Sequence, residues 1–425
     1  MSKDKVVVGI DIGSSKITTI VASIPEDNIP NIIGVATSDS KGIRKGQVVD
    51  IDEAVAAITQ SLEGAERMAG YSAGSAFVSV DGTHIESQNS KGVVAVSSQS
   101  GEVQEDDIAR VVEAARAISL PSSKDIVHVL PRFFMVDSQS GIKDPMGMTG
   151  VRLEVETHIV TGAATALRNI AKCVSQVGVN VQGLVFSGLA SSYSVLTDTE
   201  RELGVILVDF GGGTTNICIF TEGAPVHSAV LPVGARNVTN DLAIGLRISL
   251  ESAEKIKLTL SKAPKIAVEP DDDGKPQDKK ESDQLDISSL AIEEDLKLVS
   301  KKTLTDGIMK PRLREILNMV MLEVQKSGFL GLTPSGVVIT GGGAQTAGLV
   351  ELAKHELQMP VRIGQPQGAT GLVGEISTPA YSTALGLIMY GASFQEENAR
   401  MPLVGRIEIK GIVSRGVNLI KSILP

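Results

Sequence analysis

Asp11 closes the apolar run VVVGIDI and is followed at once by Gly13, Ser14, Ser15 and Lys16. Almost two hundred residues later Asp209 closes VILVDF and is followed by Gly211, Gly212, Gly213, Thr214, Thr215 and Asn216. A turn of glycine and hydroxyl residues can point successive backbone N–H groups at one spot, which makes a nest for phosphate oxygens. Two such turns, each preceded by a carboxylate at a strand end, can clamp a polyphosphate from both sides. The two aspartates can then hold waters of a magnesium ion, which gives up its hydration shell reluctantly. A third glycine turn, TGGGAQ, contains Gly342, Gly343 and Gln345. GGGTTN does not match the G-x-G-x-x-G fingerprint, and no G-x-x-x-x-G-K-[ST] occurs in the chain.

The elements that carry these turns can be read from periodicity. Val6–Ile12 and Val205–Phe210 are short continuous apolar runs, the pattern of fully buried strands. After each turn comes another β-branched stretch, ITTIVASI and NICIFTEG, so each unit is a hairpin. A helix is expected from Asp52, its cap, to Gly70, with Ala54, Ile58, Leu62 and Ala65 on one face. Others are expected over Glu105–Ile118, over Asn240–Leu260 as one long helix, and from Pro311 to Gly328. Between 82 and 161 alternating strands surround one helix, as in a small inserted subdomain. The stretch 262–295 is acidic, lacks aromatics and reads as a flexible surface loop.

Composition narrows the function. A net charge of −10 with 3% aromatic residues argues against a nucleic-acid surface, which needs basic stripes and stacking rings. Two cysteines, Cys173 and Cys218, have no metal or disulfide spacing. Neither a signal peptide nor a membrane-spanning apolar run is recognisable, so a cytosolic protein is expected. The charge is uneven, however. Residues 400–425 carry five basic side chains and one acidic one. At about 100° per residue, Ile412, Val413, Val417, Leu419, Ile420, Ile423 and Leu424 share one arc with Gly416, while Arg415 and Lys421 lie opposite among Ser414, Asn418 and Ser422. An apolar face backed by a purely basic one is the pattern of a helix lying in an anionic membrane interface.

Taken together, the two hairpins, the helix SGLASSYSVL, the turn ITGGGAQTAGL and the final helix YSTALGLIMYG resemble the actin-like ATPases. Within them the chain is similar to the FtsA family of bacterial division proteins, through KGIRKGQVVDIDEAVAAI, HVLPRFFMVDSQSGIKDPMGMTGVRLEVETHIVTG and GARNVTNDLAIGLRISLESAEKIK. The resemblance implies an α/β fold, duplicated, with two lobes around a nucleotide cleft, an FtsA-type inserted subdomain and a C-terminal amphipathic helix. It implies a first lobe of 1–82 and 162–203 around an insert at 83–161. The second lobe would be 204–235 and 305–394, ending in a closing helix, with a small subdomain at 236–304 that includes a flexible loop at 264–290. A linker at 395–410 would lead to a membrane-targeting helix at 411–425.

The resemblance also implies ATP and Mg2+ as ligands, with Asp11 and Asp209 on the magnesium side. Gly212 to Thr215 match the second phosphate loop, Glu254 and Lys257 the pair that holds the ribose, and Gly342, Gly343 and Gln345 the adenosine turn; Asn216 and Gly234 fall in the same site. Where actin, MreB and the chaperone ATPases carry a glutamine or glutamate that orients the attacking water, this chain has Ser187, so at most slow hydrolysis is expected. The implied partners are the C-terminal peptide of FtsZ, further copies in an actin-like filament, an anionic membrane surface and other divisome proteins, at the cytoplasmic face of the cell membrane at the division site. A PilM-like adaptor of a pilus platform and a small-molecule kinase of the same superfamily are the alternatives.

Overall fold

The computed structural model describes residues 5–262, 283–290, 292, 294 and 297–400. The first lobe begins with β1 (Lys5–Ile12), β2 (Lys16–Ile24) and β3 (Asn31–Asp39), a small ribbon of β4 (Ile43–Arg44) and β5 (Gln47–Val48), then α1 (Ile51–Ala69) and β6 (Ser75–Val80). An insertion follows, built from β7 (Glu86–Ala95), α2 (Glu105–Arg116), β8 (Lys124–Val136), β9 (Gln139–Ile142) and β10 (Arg152–Ala163). The lobe resumes with α3 (Ala164–Gln176), β11 (Asn180–Phe186), α4 (Ser187–Val195) and α5 (Asp198–Leu203).

The second lobe repeats the plan with β12 (Val205–Phe210), β13 (Thr215–Thr221), β14 (Ala224–Leu231), α6 (Ala235–Leu246) and α7 (Leu250–Lys262). Next come β15 (Gln284–Asp286), β16 (Leu298–Ser300), α8 (Lys310–Ser327), β17 (Val337–Thr340), α9 (Leu349–Leu357) and β18 (Val361–Ile363). The chain then returns to the first lobe through β19 (Thr370–Gly371) and α10 (Ser382–Arg400).

The duplication is explicit in the sheets. One is ordered β11-β6-β1-β2-β3-β19 and the other β14-β13-β12-β17-β18. In each, an antiparallel three-strand meander is extended by two strands parallel to its first member. Both faces of the first sheet are covered, which explains why β1 is apolar from Val6 to Ile10 rather than alternating. Val8 and Ile10 pack toward α1 and α3, whereas Val7 joins Leu385 and Ile388 of α10. The insert forms its own sheet, β7-β10-β8-β9, around a core of Val111, Phe134, Leu153 and Val155. The two lobes are linked at α4, which packs against β12 and β13 of the second lobe and is crossed by α10. Gly386 makes that crossing possible, because a Cβ there would collide with the carbonyl oxygen of Ala190. Ser194 Oγ fastens it by donating to Ser382 O at 2.7 Å.

Four local expectations need correction. The cap of α1 is Asp50, not Asp52: its carboxylate accepts from Glu53 N at 3.0 Å, the bond an N-cap makes to the third helical residue. The single helix expected over Asn240–Leu260 is two, because Arg247 turns left-handed (φ 57) and ends α6. Ser249 then starts α7 by accepting from Ser252 N. The expected loop at 264–290 contains β15, paired with β16, and Ile287 is fully buried, an anchor that the surrounding acids obscure. The closing helix runs to Arg400, six residues into the expected linker at 395–410. Residues 401–425, and with them the amphipathic tail, lie outside the described residues. Among the described residues no helix is long and apolar enough to cross a membrane.

Candidate functional site

Strand ends deliver the acids. Parallel strands of an open α/β sheet present ligands at their carboxyl ends; Asp11 and Asp209 are the penultimate residues of β1 and β12, and Asp81 follows the last residue of β6. All three line a single cleft of about 700 Å3 between the lobes. Asp11 Oδ1 accepts from Ser79 Oγ at 2.8 Å, while Ser79 Oγ itself accepts from Ile12 N at 2.8 Å. Asp209 Oδ2 accepts from Thr383 Oγ1 at 3.2 Å, and Asn216 Nδ2 lies 3.5 Å from the same oxygen. Asp81 Oδ1 accepts from Gly82 N at 2.6 Å, and its other oxygen takes the hydroxyl of Thr214, a residue of the opposite lobe.

Burial dominates the electrostatics. It raises the Asp11 carboxyl to about 6, with the Ser79 hydrogen bond opposing. It raises Asp209 to about 7, aided by the neighbouring charges of Asp11 and Asp81. Asp81 is raised too, by burial, against the hydrogen bonds from Thr214 and Gly82. Lys16 is pushed down to about 8 by burial, opposed by Asp11, and its Nζ sits 3.5 Å from the centre of the Tyr381 ring.

The two turns meet at one end of the cleft in a complementary way. Gly212 has no Cβ, and the Ser15 hydroxyl occupies the space one would take; Ser14 fits against Gly213 likewise. Gly13, Ser14, Ser15, Lys16, Gly211, Gly212, Thr214 and Asn216 all line the cleft. Three expected contacts sit behind that lining instead. Gly213 packs on Ser14, Thr215 Oγ1 donates to Val233 O at 2.8 Å, and Gly234 caps α6 against the carbonyls of Gly211 and Gly212. They shape the turn from beneath.

Farther along, Glu254 Oε2 accepts from Lys257 Nζ at 2.7 Å and from Thr239 Oγ1 at 2.5 Å. Lys257 is buried on one side of the cleft, and Glu254 keeps Oε1 without a protein hydrogen bond among the described residues. Gly342, Gly343 and Gln345 form a single 3-10 turn after β17 and line the same cleft. Gly341 before them adopts φ 83, and a side chain there would strike Asp209 and Phe210. Ser187 also faces the cleft, but its hydroxyl donates to Val80 O at 3.1 Å.

Sequence reasoning missed Asp81, Thr239 and Thr383. Asp81 carried a usable signal, since FVSVDG repeats the pattern of a β-branched strand, an acid and a glycine. Thr239 and Thr383 sit inside helices and carry none.

Comparison with known proteins agrees with this architecture. The family described as Cell division protein FtsA matches residues 206–386, and the SHS2 domain inserted in FtsA matches residues 82–161. The Cell division protein FtsA of Pseudomonas aeruginosa is 40% identical over 402 residues, covering 94% of this chain and 93% of that protein. Among solved structures, a PilM–PilN type IV pilus biogenesis complex superposes with a TM-score of 0.63 at 16% identity, over 91% of this chain and 98% of that one. MreB5 of Spiroplasma citri bound to AMPPNP gives 0.53 at 11% identity, over 93% and 98%. At such identities these two structures speak for a shared actin-like fold.

Proposed function

This chain belongs to the FtsA family of cell-division proteins, and from that premise we propose that it binds ATP with Mg2+ between its lobes and tethers FtsZ filaments to the membrane. The observation that carries the nucleotide reading is the convergence on one cleft of two glycine–hydroxyl turns and three carboxylates, Asp81 and Asp209 buried and Asp11 half-buried. The donor set fits a hard cation, because it consists of oxygens alone. Asn216 Oδ1 is buried without a partner among the described residues, an acceptor in need of a donor or a cation. Among those residues no three His, Cys, Asp or Glu side chains come together closely enough to hold a metal directly. Mg2+ would therefore be held through its waters and the phosphates, with Asp11 and Asp209 on its protein side.

When bound, the ion would neutralise phosphate charge and the excess of the buried aspartates. The chain's own residues do the rest. Turn amides receive phosphate oxygens, the free Oε1 of Glu254 accepts from a ribose hydroxyl, and the Gly342–Gln345 turn walls the base. Titration calorimetry with ATP, with and without Mg2+, tests this reading. No heat of binding in magnesium would overturn it.

The tether reading rests on the tail's composition and on family membership. In it the chain polymerises into actin-like filaments at the division site and lays residues 411–425 on the cytoplasmic face of the membrane. The small subdomain at 236–304 receives the FtsZ C-terminal peptide, and other divisome proteins join the same assembly. Co-sedimentation with anionic liposomes, with and without ATP and that peptide, is the test.

A further inference from the structure

We propose that the carboxylate of Asp81 holds, and takes a proton from, the water that attacks the terminal phosphate of bound ATP. The proposal rests on the nucleotide reading above and adds a catalytic residue to it. It starts from Ser187. That hydroxyl faces the cleft, yet its proton is committed to the carbonyl of Val80. The same hydrogen bond ties Ser187 to the peptide that leads into Asp81. A carboxylate from the end of β6 therefore enters the cleft one residue from the point where Ser187 is tied down.

Asp81 is 8% exposed and is fixed on every side. Its two oxygens receive Gly82 N and the Thr214 hydroxyl, which locks the rotamer. The Asn216 side chain is a third hydrogen-bond partner, so of the roughly four acceptor sites of a carboxylate one is left for a water. Behind it, the turn between β4 and β5 presses on the backbone: a Cβ on Gly46 would lie 2.6 Å from the Asp81 carbonyl carbon. Because Thr214 belongs to the second phosphate turn and Asp81 to the first lobe, the carboxylate stands where both lobes approach a terminal phosphate.

In the step itself the water oxygen bonds to the terminal phosphorus, and the bond from that phosphorus to the bridging oxygen breaks. Its electron pair leaves with ADP. The water proton passes to Asp81 and then to the released phosphate or to solvent. Phosphoryl transfer depends mainly on positioning, which is what a locked carboxylate supplies.

The test compares full-length parent and Asp81→Asn by calorimetry with Mg2+ and AMPPNP and by single-turnover hydrolysis of ATP. The expected result is affinity within about threefold and hydrolysis at least about tenfold slower, within the usual contribution of a general base. Asp81→Ser, which keeps an oxygen for Thr214, is the second variant should the asparagine protein not fold. Unchanged hydrolysis in either would overturn the proposal. So would equal loss of binding and hydrolysis, which would make Asp81 a clasp between lobes, and so would a parent that binds nucleotide without turning it over. A parent that fails to bind AMPPNP would instead refute the nucleotide reading itself.

Discussion

His158 Nε2 lies 2.9 Å from Ser228 Oγ, and this contact joins the inserted subdomain to the edge strand of the second lobe. Around it, Ser87 Oγ donates to Ser228 O at 2.8 Å and accepts from Ser228 N at 2.9 Å. Asn89 Nδ2 donates to Val226 O, so its Oδ1 is the acceptor for His158 Nδ1–H at 2.8 Å. That network assigns the tautomer: Nε2 must accept, and the ring is neutral.

This fixes a pH dependence. Burial, then the charges of His227, Arg132 and His128, lower His158 to about 3. A depressed base contributes stability that is present above its unfolded value and lost as pH falls from there toward the folded value. The window is thus about 6.5 down to about 3. Denaturation curves at pH 7 and pH 5 should show the parent losing stability faster than His158→Gln, by up to about 1.4 kcal/mol per pH unit. Parallel curves would show that this histidine is not held neutral.

Asp209 should behave oppositely with and without ligand. Its carboxyl is raised to about 7, so above that pH its burial as an anion opposes folding, whereas below its unfolded value it has no effect. At pH 8 without nucleotide or Mg2+, Asp209→Asn should be more stable than the parent by about 2–4 kcal/mol. Asp209→Ala should bind ATP with Mg2+ more than about tenfold more weakly, through loss of a charge-assisted contact. Unchanged affinity in calorimetry on a folded variant would remove this turn from the site.

Thr239 braces the ribose pair, since its hydroxyl donates to Glu254 and lies 2.9 Å from Lys257 Nζ. Thr239→Val should weaken ATP binding by about tenfold, the value of one hydrogen bond to a charged group. Competition against a fluorescent nucleotide measures it, and parent-like affinity would dissociate Glu254 and Lys257 from the sugar.

Arg247 ends α6 in a left-handed conformation at φ 57. Such a backbone costs a residue with a Cβ about 1–2 kcal/mol. Arg247→Gly should therefore raise stability by about 0.5–1 kcal/mol, readable as a shift in denaturant midpoint at constant slope.

The tail offers two separable changes. Ile420→Glu with Ile423→Glu puts charge where hydrocarbon contact is needed and should abolish sedimentation with every liposome. Arg415→Gln with Lys421→Gln should weaken binding about thirtyfold on anionic lipid only, at about 1 kcal/mol per cation. If the glutamate pair sediments like the parent, this segment is not the anchor.

The sequence made the repeated parts legible because each uses a local signal. Asp11 and Asp209 stand at the ends of apolar runs, and glycine–hydroxyl turns follow both. Long-range partners had no such signal. Ser79 and Thr383 reach the acids across strands and lobes. The break at Arg247 was hidden because Leu242, Leu246, Ile256 and Leu260 sustain an apolar rhythm across it. Ile287 was hidden for the opposite reason, a core anchor set among acids and serines.

The fit of Ser14 and Ser15 against Gly213 and Gly212 makes the repeated halves unequal where they meet. With serines on both sides the hydroxyls would overlap, and with glycines on both the seam would hold a void. The seam therefore works only between unlike partners: neither turn can stand in for the other, and a change of size in one must be answered by the other.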